Sequence, residues 1–266
     1  MNRIESLFQS LRAGKKKALM PFLTAGDPDL ETTADLIAEV IRRGAHLVEV
    51  GIPYSDPVAD GPVISASYTR ALQKGVKLSD IFAMIRGIRS KGIDAPLVTM
   101  VSYAIVHRWG SEKYVAEAKE AGIDGLIVPD LPIEEAAGLL ELATKHGLSL
   151  IQLVTPRTPR ERASKIVRGT TGFLYYVSVA GITGERRELP PDLADHVNWL
   201  KSQTDLPIAI GFGISGPDQV RQLSPIADGV IVGSAIVRRI AEGQDRSRDE
   251  LVRAIGEFVQ ELADAV

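Results

Sequence analysis

Short apolar runs recur along the chain and alternate with stretches of helical periodicity. The runs cover residues 18–24, 46–51, 96–102, 125–128, 149–154, 172–178, 207–212 and 229–232. Val, Ile and Leu fall on consecutive positions in them, the pattern of parallel strands covered on both faces. The segments between repeat at helical spacing and have marked ends. Leu30, Ala34, Ile37 and Ile41 share one face before Gly44. Ser79 is placed to cap a helix with Ile81, Met84, Ile85 and Ile88 inward and Gly92 as its stop. Ser111 opens a third helix and Gly122 closes it. Ile133, Ala136, Leu140 and Ala143 line a fourth, stopped by Gly147. Ser215 with Asp218 makes a capping-box-like start for a later helix. Residues 242–249 read as a polar loop, and Leu251, Ile255, Phe258 and Leu262 form the apolar face of the last helix.

About eight strand–helix units in alternation predict an α/β fold: a (β/α)8 TIM barrel or an open doubly wound sheet. The count favours the barrel, as do the polar and glycine residues gathered just after the runs. No Gly-x-Gly-x-x-Gly follows the first run, so a dinucleotide site has little support. No linker divides the sequence, so residues 1–266 are expected to form a single barrel domain. Ile4, Leu7, Phe8 and Leu11 make an extra N-terminal amphipathic helix that would cap one end. The 20 residues that carry it hold no long apolar run, so neither a signal peptide nor a membrane span is expected.

Composition narrows the function classes. Apolar residues make up 45% and charged residues 24%, the usage of a folded globular chain. A formal net charge of −3 disfavours nucleic acid as the main partner. With no cysteine, disulfides, thiol nucleophiles and cysteine metal sites are excluded, and a cytoplasmic location fits. The four histidines, His46, His107, His146 and His196, are scattered without metal-ligand spacing, so no metal is expected.

Glycine-containing segments follow the last three runs: 181–184, 211–215 and 229–235. In barrels the loops after the last two strands commonly hold a phosphate, helped by a helix N-terminus. Glycine lets bare N–H groups approach an anion, and a helix start supplies unpaired donors. Gly184, Gly213, Gly233 and Ser234 are the expected donors. Each glycine alone is as well explained by a turn; the three matched positions point to a small phosphorylated substrate.

Alternation along the second run puts Glu49 on one face with Leu47 and Gly51. A carboxylate there is costly unless paired, protonated or used. Facing substrate and partly desolvated, it would hold a raised pKa suited to acid/base work. Asp60 follows, just before a helix start at Gly61-Pro62. Alone it would read as an N-cap or Asx turn; over the same strand end as Glu49 it makes a candidate acid/base pair. Asp130, after the fourth run, is a helix cap or a support for the site, and Arg186-Arg187 is a solvated face or a lid.

These residues bring a resemblance with them. The chain resembles the α subunit of tryptophan synthase over essentially its full length, in MPFLTAGDP at 20–28, VEVGIPYSDPVADGP at 48–62, and the stretches 124–135, 181–184 and 207–215. The second stretch is highly specific. The resemblance implies a lyase of tryptophan biosynthesis that splits indole-3-glycerol phosphate into indole and glyceraldehyde 3-phosphate, with Glu49 and Asp60 as catalytic pair. It implies an indole pocket walled by Phe22, Met100, Tyr175 and Phe212, with Thr183 closing near Asp60. It also implies a β-subunit partner in an α2β2 heterotetramer, receiving the indole and carrying the pyridoxal phosphate, so that this chain needs no cofactor. A free-standing lyase and a catalytically decayed regulatory subunit are the alternatives. Ser102 and Ala104 depart from the Tyr and Asn usual after the third strand, and Arg157 from a small polar residue after the fifth.

Overall fold

The computed structural model describes residues 2–57, 60–178, 192–211 and 213–266. The strands are β1 (Ala18–Thr24), β2 (Val48–Gly51), β3 (Leu97–Met100), β4 (Gly125–Ile127), β5 (Ser149–Ile151), β6 (Leu153–Val154), β7 (Leu174–Val177), β8 (Ile208–Gly211) and β9 (Gly229–Val232). All pair in parallel, in the order β5-β4-β3-β2-β1-β9-β8-β7-β6. β5 and β6 are the two halves of one predicted run, parted at Gln152. β5 pairs with β4 and β6 with β7, while the Gln152 carbonyl accepts from Tyr175 N at 3.1 Å. The ring therefore closes through this residue as a barrel of eight staves, the (β/α)8 fold that the sequence pattern predicts.

The helices among the described residues are α1 (Arg3–Ala13), α2 (Leu30–Arg42), α3 (Pro62–Gln73), α4 (Leu78–Ser90), α5 (Tyr103–Trp109), α6 (Ser111–Ala121), α7 (Ala137–Lys145), α8 (Arg160–Arg168), α9 (Leu193–Lys201), α10 (Pro217–Leu223), α11 (Ser234–Glu242) and α12 (Arg248–Ala263). Most apolar strand residues belong to one of two clusters. Leu19, Val48, Val50, Leu126, Tyr176 and Val230 point outward against the helices. Met20, Phe22, Leu47, Val98, Ile127 and Tyr175 point into the barrel. Alternation along β2 thus places Glu49 on the inner face, between Leu47 and Gly51, as its spacing predicts.

The lower end of the barrel is sealed by α1. An Asn2/Glu5 capping box starts this helix, and Ile4, Phe8 and Leu11 are buried beneath the strands. The Phe8 ring lies 5.8 Å from that of Phe173. Beside the plug, the buried Asp124 carboxylate accepts from Arg89 Nη2 at 2.7 Å, Leu97 N at 3.0 Å and Arg3 Nη1 at 3.1 Å. With this end closed, access to the interior lies at the C-terminal ends of the strands.

Several predicted ends differ from those observed. Ser79 lies inside α4, whose cap position is Lys77; its hydroxyl bonds Asp80 instead. Ser215 does not pair with Asp218. Its N–H and hydroxyl both donate to Gln219 Oε1, at 2.6 and 2.8 Å, and Gly216 takes the cap position of α10. A longer side chain one turn on outcompeted the local cap. Ile133 lies in a turn ahead of α7. The polar stretch 242–249 is loop only in its middle, because Ser247 and Glu250 form a capping box that begins α12 early.

Candidate active site

Glu49 is wholly buried, at 0% exposure. Neither carboxylate oxygen has a hydrogen-bond partner. An ionised carboxylate in such surroundings is strongly disfavoured, so burial holds its pKa well above the ordinary range. Burial therefore favours the proton-bearing form of Glu49. Its neighbours across the sheet are Phe22 on β1 and Val98 on β3.

Asp60 stands above it, in the loop between β2 and α3. It does not cap α3: Gly61 holds that position and makes no side-chain cap bond. Asp60 instead lines a cleft, partly open to solvent, shared with Tyr68, Met100, Ser102 and Asp130. Burial, helped by the negative charge of Asp130, raises its pKa from 3.8 to about 6. It is still mostly anionic at neutral pH. The two carboxyl groups thus stand in different protonation states over one strand end, the condition for separate acid and anion roles.

Asp130 is not the N-cap of either neighbouring helix: Ser102 caps α5 and Ala136 holds the cap position of α7. Asp130 accepts from Ser102 Oγ at 2.6 Å and from Tyr103 N at 2.8 Å, holding the start of α5, and it lines the cleft beside Asp60. Ser102, one of the departures, is the N-cap of α5 through a bond from Ala104 N. A short hydroxyl at this place therefore fastens the β3 and β4 ends together. Arg157 faces a separate groove with Arg160 and Trp199.

The walls follow from two glycines. A side chain at Gly51 would collide with the Phe22 ring and stand 3.0 Å from the Tyr68 hydroxyl. One at Gly211 would collide with the Tyr175 hydroxyl. Both glycines end inner-facing strand positions, and aromatic groups occupy the space they vacate. Phe22, Met100 and Tyr175 are thereby buried together on the inner face. Thr183 and Phe212, the other expected wall residues, lie outside the described residues, as do Gly184 and Arg186-Arg187. Tyr68 was not singled out by sequence. Its only signal is its place on the face of α3 shared with Ile64 and Ala71, where an aromatic reads as packing.

On the far side of the mouth, Gly213 has φ +82°, a backbone open to glycine at little cost. Gly233 caps α11, and the first intrahelical bonds run from Ile236 and Val237 to its carbonyl. The Ser234 and Ala235 amides therefore stand at the open helix end. Adjacent staves β8 and β9 bring these two loops side by side. The Gly233 Cβ position lies 3.5 Å from Phe22 Cβ, so one aromatic side chain spans from this loop to the space above Glu49. Among the described residues, no group of three His, Asp or Glu is arranged to hold a metal ion. The half-buried His46 accepts from Leu19 N at 3.2 Å, a structural contact at the foot of β1. No described helix is long and apolar enough to cross a membrane.

Comparison with known proteins gives the family. The family model for the tryptophan synthase alpha chain matches residues 8–266. The tryptophan synthase alpha chain of Rhodopirellula baltica is 52% identical over 266 residues, covering 99% of this chain and 96% of that one. That of Synechocystis is 46% identical over the whole of both chains. The crystal structure of tryptophan synthase subunit alpha from Legionella pneumophila superposes with a TM-score of 0.91 at 37% identity, over 100% of this chain and 98% of that one. A family match from the first helix to the last residue, carried on a barrel with this carboxylate pair at its mouth, means that the chain belongs to the tryptophan synthase alpha chain family.

Proposed function

We propose that Glu49 and Asp60 carry out the reaction of this chain, a carbon–carbon lyase of tryptophan biosynthesis that cleaves indole-3-glycerol phosphate to indole and glyceraldehyde 3-phosphate. The observation behind this reading is a wholly buried, unpaired carboxyl on the inner face of β2, with a second, more exposed carboxyl of raised pKa in the loop that follows the strand. Glu49 gives its proton to C3 of the indole ring, and the ring becomes an iminium with positive character at nitrogen. Asp60, as anion, accepts a hydrogen bond from that N–H and stabilises the charge. Glu49, now a carboxylate, takes the proton of the hydroxyl on the carbon attached to C3. As the aldehyde forms, the C–C bond breaks and its electron pair restores the indole double bond and neutralises the nitrogen. Glu49 ends the cycle protonated, as it began.

The phosphate of the substrate binds at Gly213, Gly233 and Ser234 with Gly184 of the preceding loop, where a helix end and open amides favour an anion. Phe22, Met100 and Tyr175, with Thr183 and Phe212, enclose the indole. The partner of this reading is a β subunit, in an α2β2 assembly, that receives the indole and holds the pyridoxal phosphate. Glu49→Gln tests the central assignment. It should fold and bind a glycerol phosphate analogue as the parent does, and lose at least about a hundredfold in indole release, the lower end of general acid–base contributions. Near-full activity would refute the role of Glu49. Turnover measured with and without a β subunit tests the partnership, which predicts stimulation.

A further inference from the structure

Tyr68 is buried at 3% exposure on the inner face of α3. Its ring belongs to the inner apolar cluster with Phe22, Ile64 and Met100. Its hydroxyl takes part in no hydrogen bond among the described residues, and it opens on the cleft that Asp60 lines. Its position is specific: it sits 3.0 Å from where a Gly51 side chain would begin. Gly51 and Glu49 are two residues apart on one strand face, so the hydroxyl stands one layer above Glu49 and below the loop that carries Asp60. Burial and the charges of Asp60 and Glu49 push its own ionisation well above the ordinary tyrosine value, so at neutral pH it remains a neutral O–H donor.

We propose that Tyr68 is a positioning residue of the lyase: its hydroxyl, held over Gly51 by the inner core, is the donor that supports the Asp60 carboxylate as an anion while that carboxylate receives the indole N–H. The inference rests on the roles proposed above for Glu49 and Asp60. The other groups facing Asp60 oppose the anion or leave it unsupported. Asp130 from the β4 end and Asp56 from its own loop line the same cleft with negative side chains. Burial, and then Glu49 from β2 and Asp60, raise the pKa of the Tyr175 hydroxyl from β7. No basic side chain among the described residues lines the cleft. A neutral donor at Tyr68 is the group placed to offset this.

The test is Tyr68→Phe, which keeps the ring and its packing, assayed for indole release across pH 5 to 9. With the donor gone, the Asp60 anion loses support, so the acid limb of kcat/KM should move up by about half a unit to one unit. kcat should fall by about three- to tenfold at pH 7 while KM changes little. A role in packing alone would lower the amplitude and leave the limb where it was, and that result overturns the proposal. Asp60→Asn is run in parallel. If it keeps near-full activity, the assignment of Asp60 itself has failed. If it loses activity while Tyr68→Phe keeps the parent acid limb, only the role of Tyr68 has failed. In the Asp60→Asn background, Tyr68→Phe should cost nothing further.

Discussion

Asp60 is a place where activity is expected to oppose stability, and the opposition can be measured. Its carboxyl titrates near 3.8 in an unfolded chain and at about 6 in the folded one. The folded state therefore holds the proton more tightly. Whatever stability this lends is complete below pH 3.8 and is lost as pH rises to about 6, so above that the ionised carboxylate weighs against folding. The shift corresponds to at most about 3 kcal/mol at 1.36 kcal/mol per unit. Asp60 is half-buried at the rim of an open cleft, and solvent screening reduces this to roughly 1.5–3 kcal/mol. Asp60→Asn removes the titration with almost no change of shape. Urea unfolding of parent and variant at pH 4, 6 and 8 should show a gap in favour of the variant that is small at pH 4, widens to pH 6 and is nearly level from there to pH 8. Indole release should fall by about 10²–10³, the usual cost of losing one electrostatic stabiliser. A gap independent of pH, or a variant less stable at pH 8, would refute the reasoning.

Two further substitutions probe the supports of the site. Asp130→Asn removes a charge that raises the Asp60 pKa while leaving an oxygen to accept from Tyr103 N. The acid limb of kcat/KM should move down, opposite to Tyr68→Phe, and an upward move would contradict the charge argument. Asp124→Asn at the sealed end leaves Arg89 and Arg3 without their carboxylate and should cost about 3 kcal/mol in urea unfolding. kcat should stay within twofold, because the substitution lies at the other end of the barrel; a tenfold fall would show the two ends to be coupled.

The strands were legible because parallel strands buried on both faces leave an unbroken apolar run, and β1 and β9 match their predicted bounds. The 149–154 run is split at Gln152, and the others are trimmed by a residue or two at their ends, where single bonds such as Val101 N to Ile127 O still reach the neighbouring strand. Caps were harder to read. At Ser79 and Ser215 a local pattern promised a cap, but capping is a competition among nearby acceptors, and Asp80 and Gln219 won. Glu49 was legible because a carboxylate between apolar neighbours has few harmless explanations. Tyr68 was not, since an aromatic at helical spacing looks the same whether its hydroxyl is idle or used. Only the missing side chain at Gly51, brought close by the fold, distinguishes them. The Ser102–Asp130 bond joins residues 28 apart and has no local signature at all.

The two apolar clusters explain how the barrel tolerates such a site. The outer cluster between strands and helices contains the aliphatic bulk of the protein and no carboxylate. The inner one is smaller and more aromatic, plugged below by α1 and ending above at Glu49, Tyr68 and Tyr175. Burying Glu49 without a partner costs free energy that the inner packing alone has little surplus to offset. Placing it on an inner-facing strand position confines that cost to one layer, while the outer cluster keeps the staves in register. The same burial favours its proton-bearing form. An ion-pairing partner would lower the cost and also the pKa, leaving a carboxylate with no proton to give. The lack of a partner for Glu49 is thus what its proposed role as an acid requires.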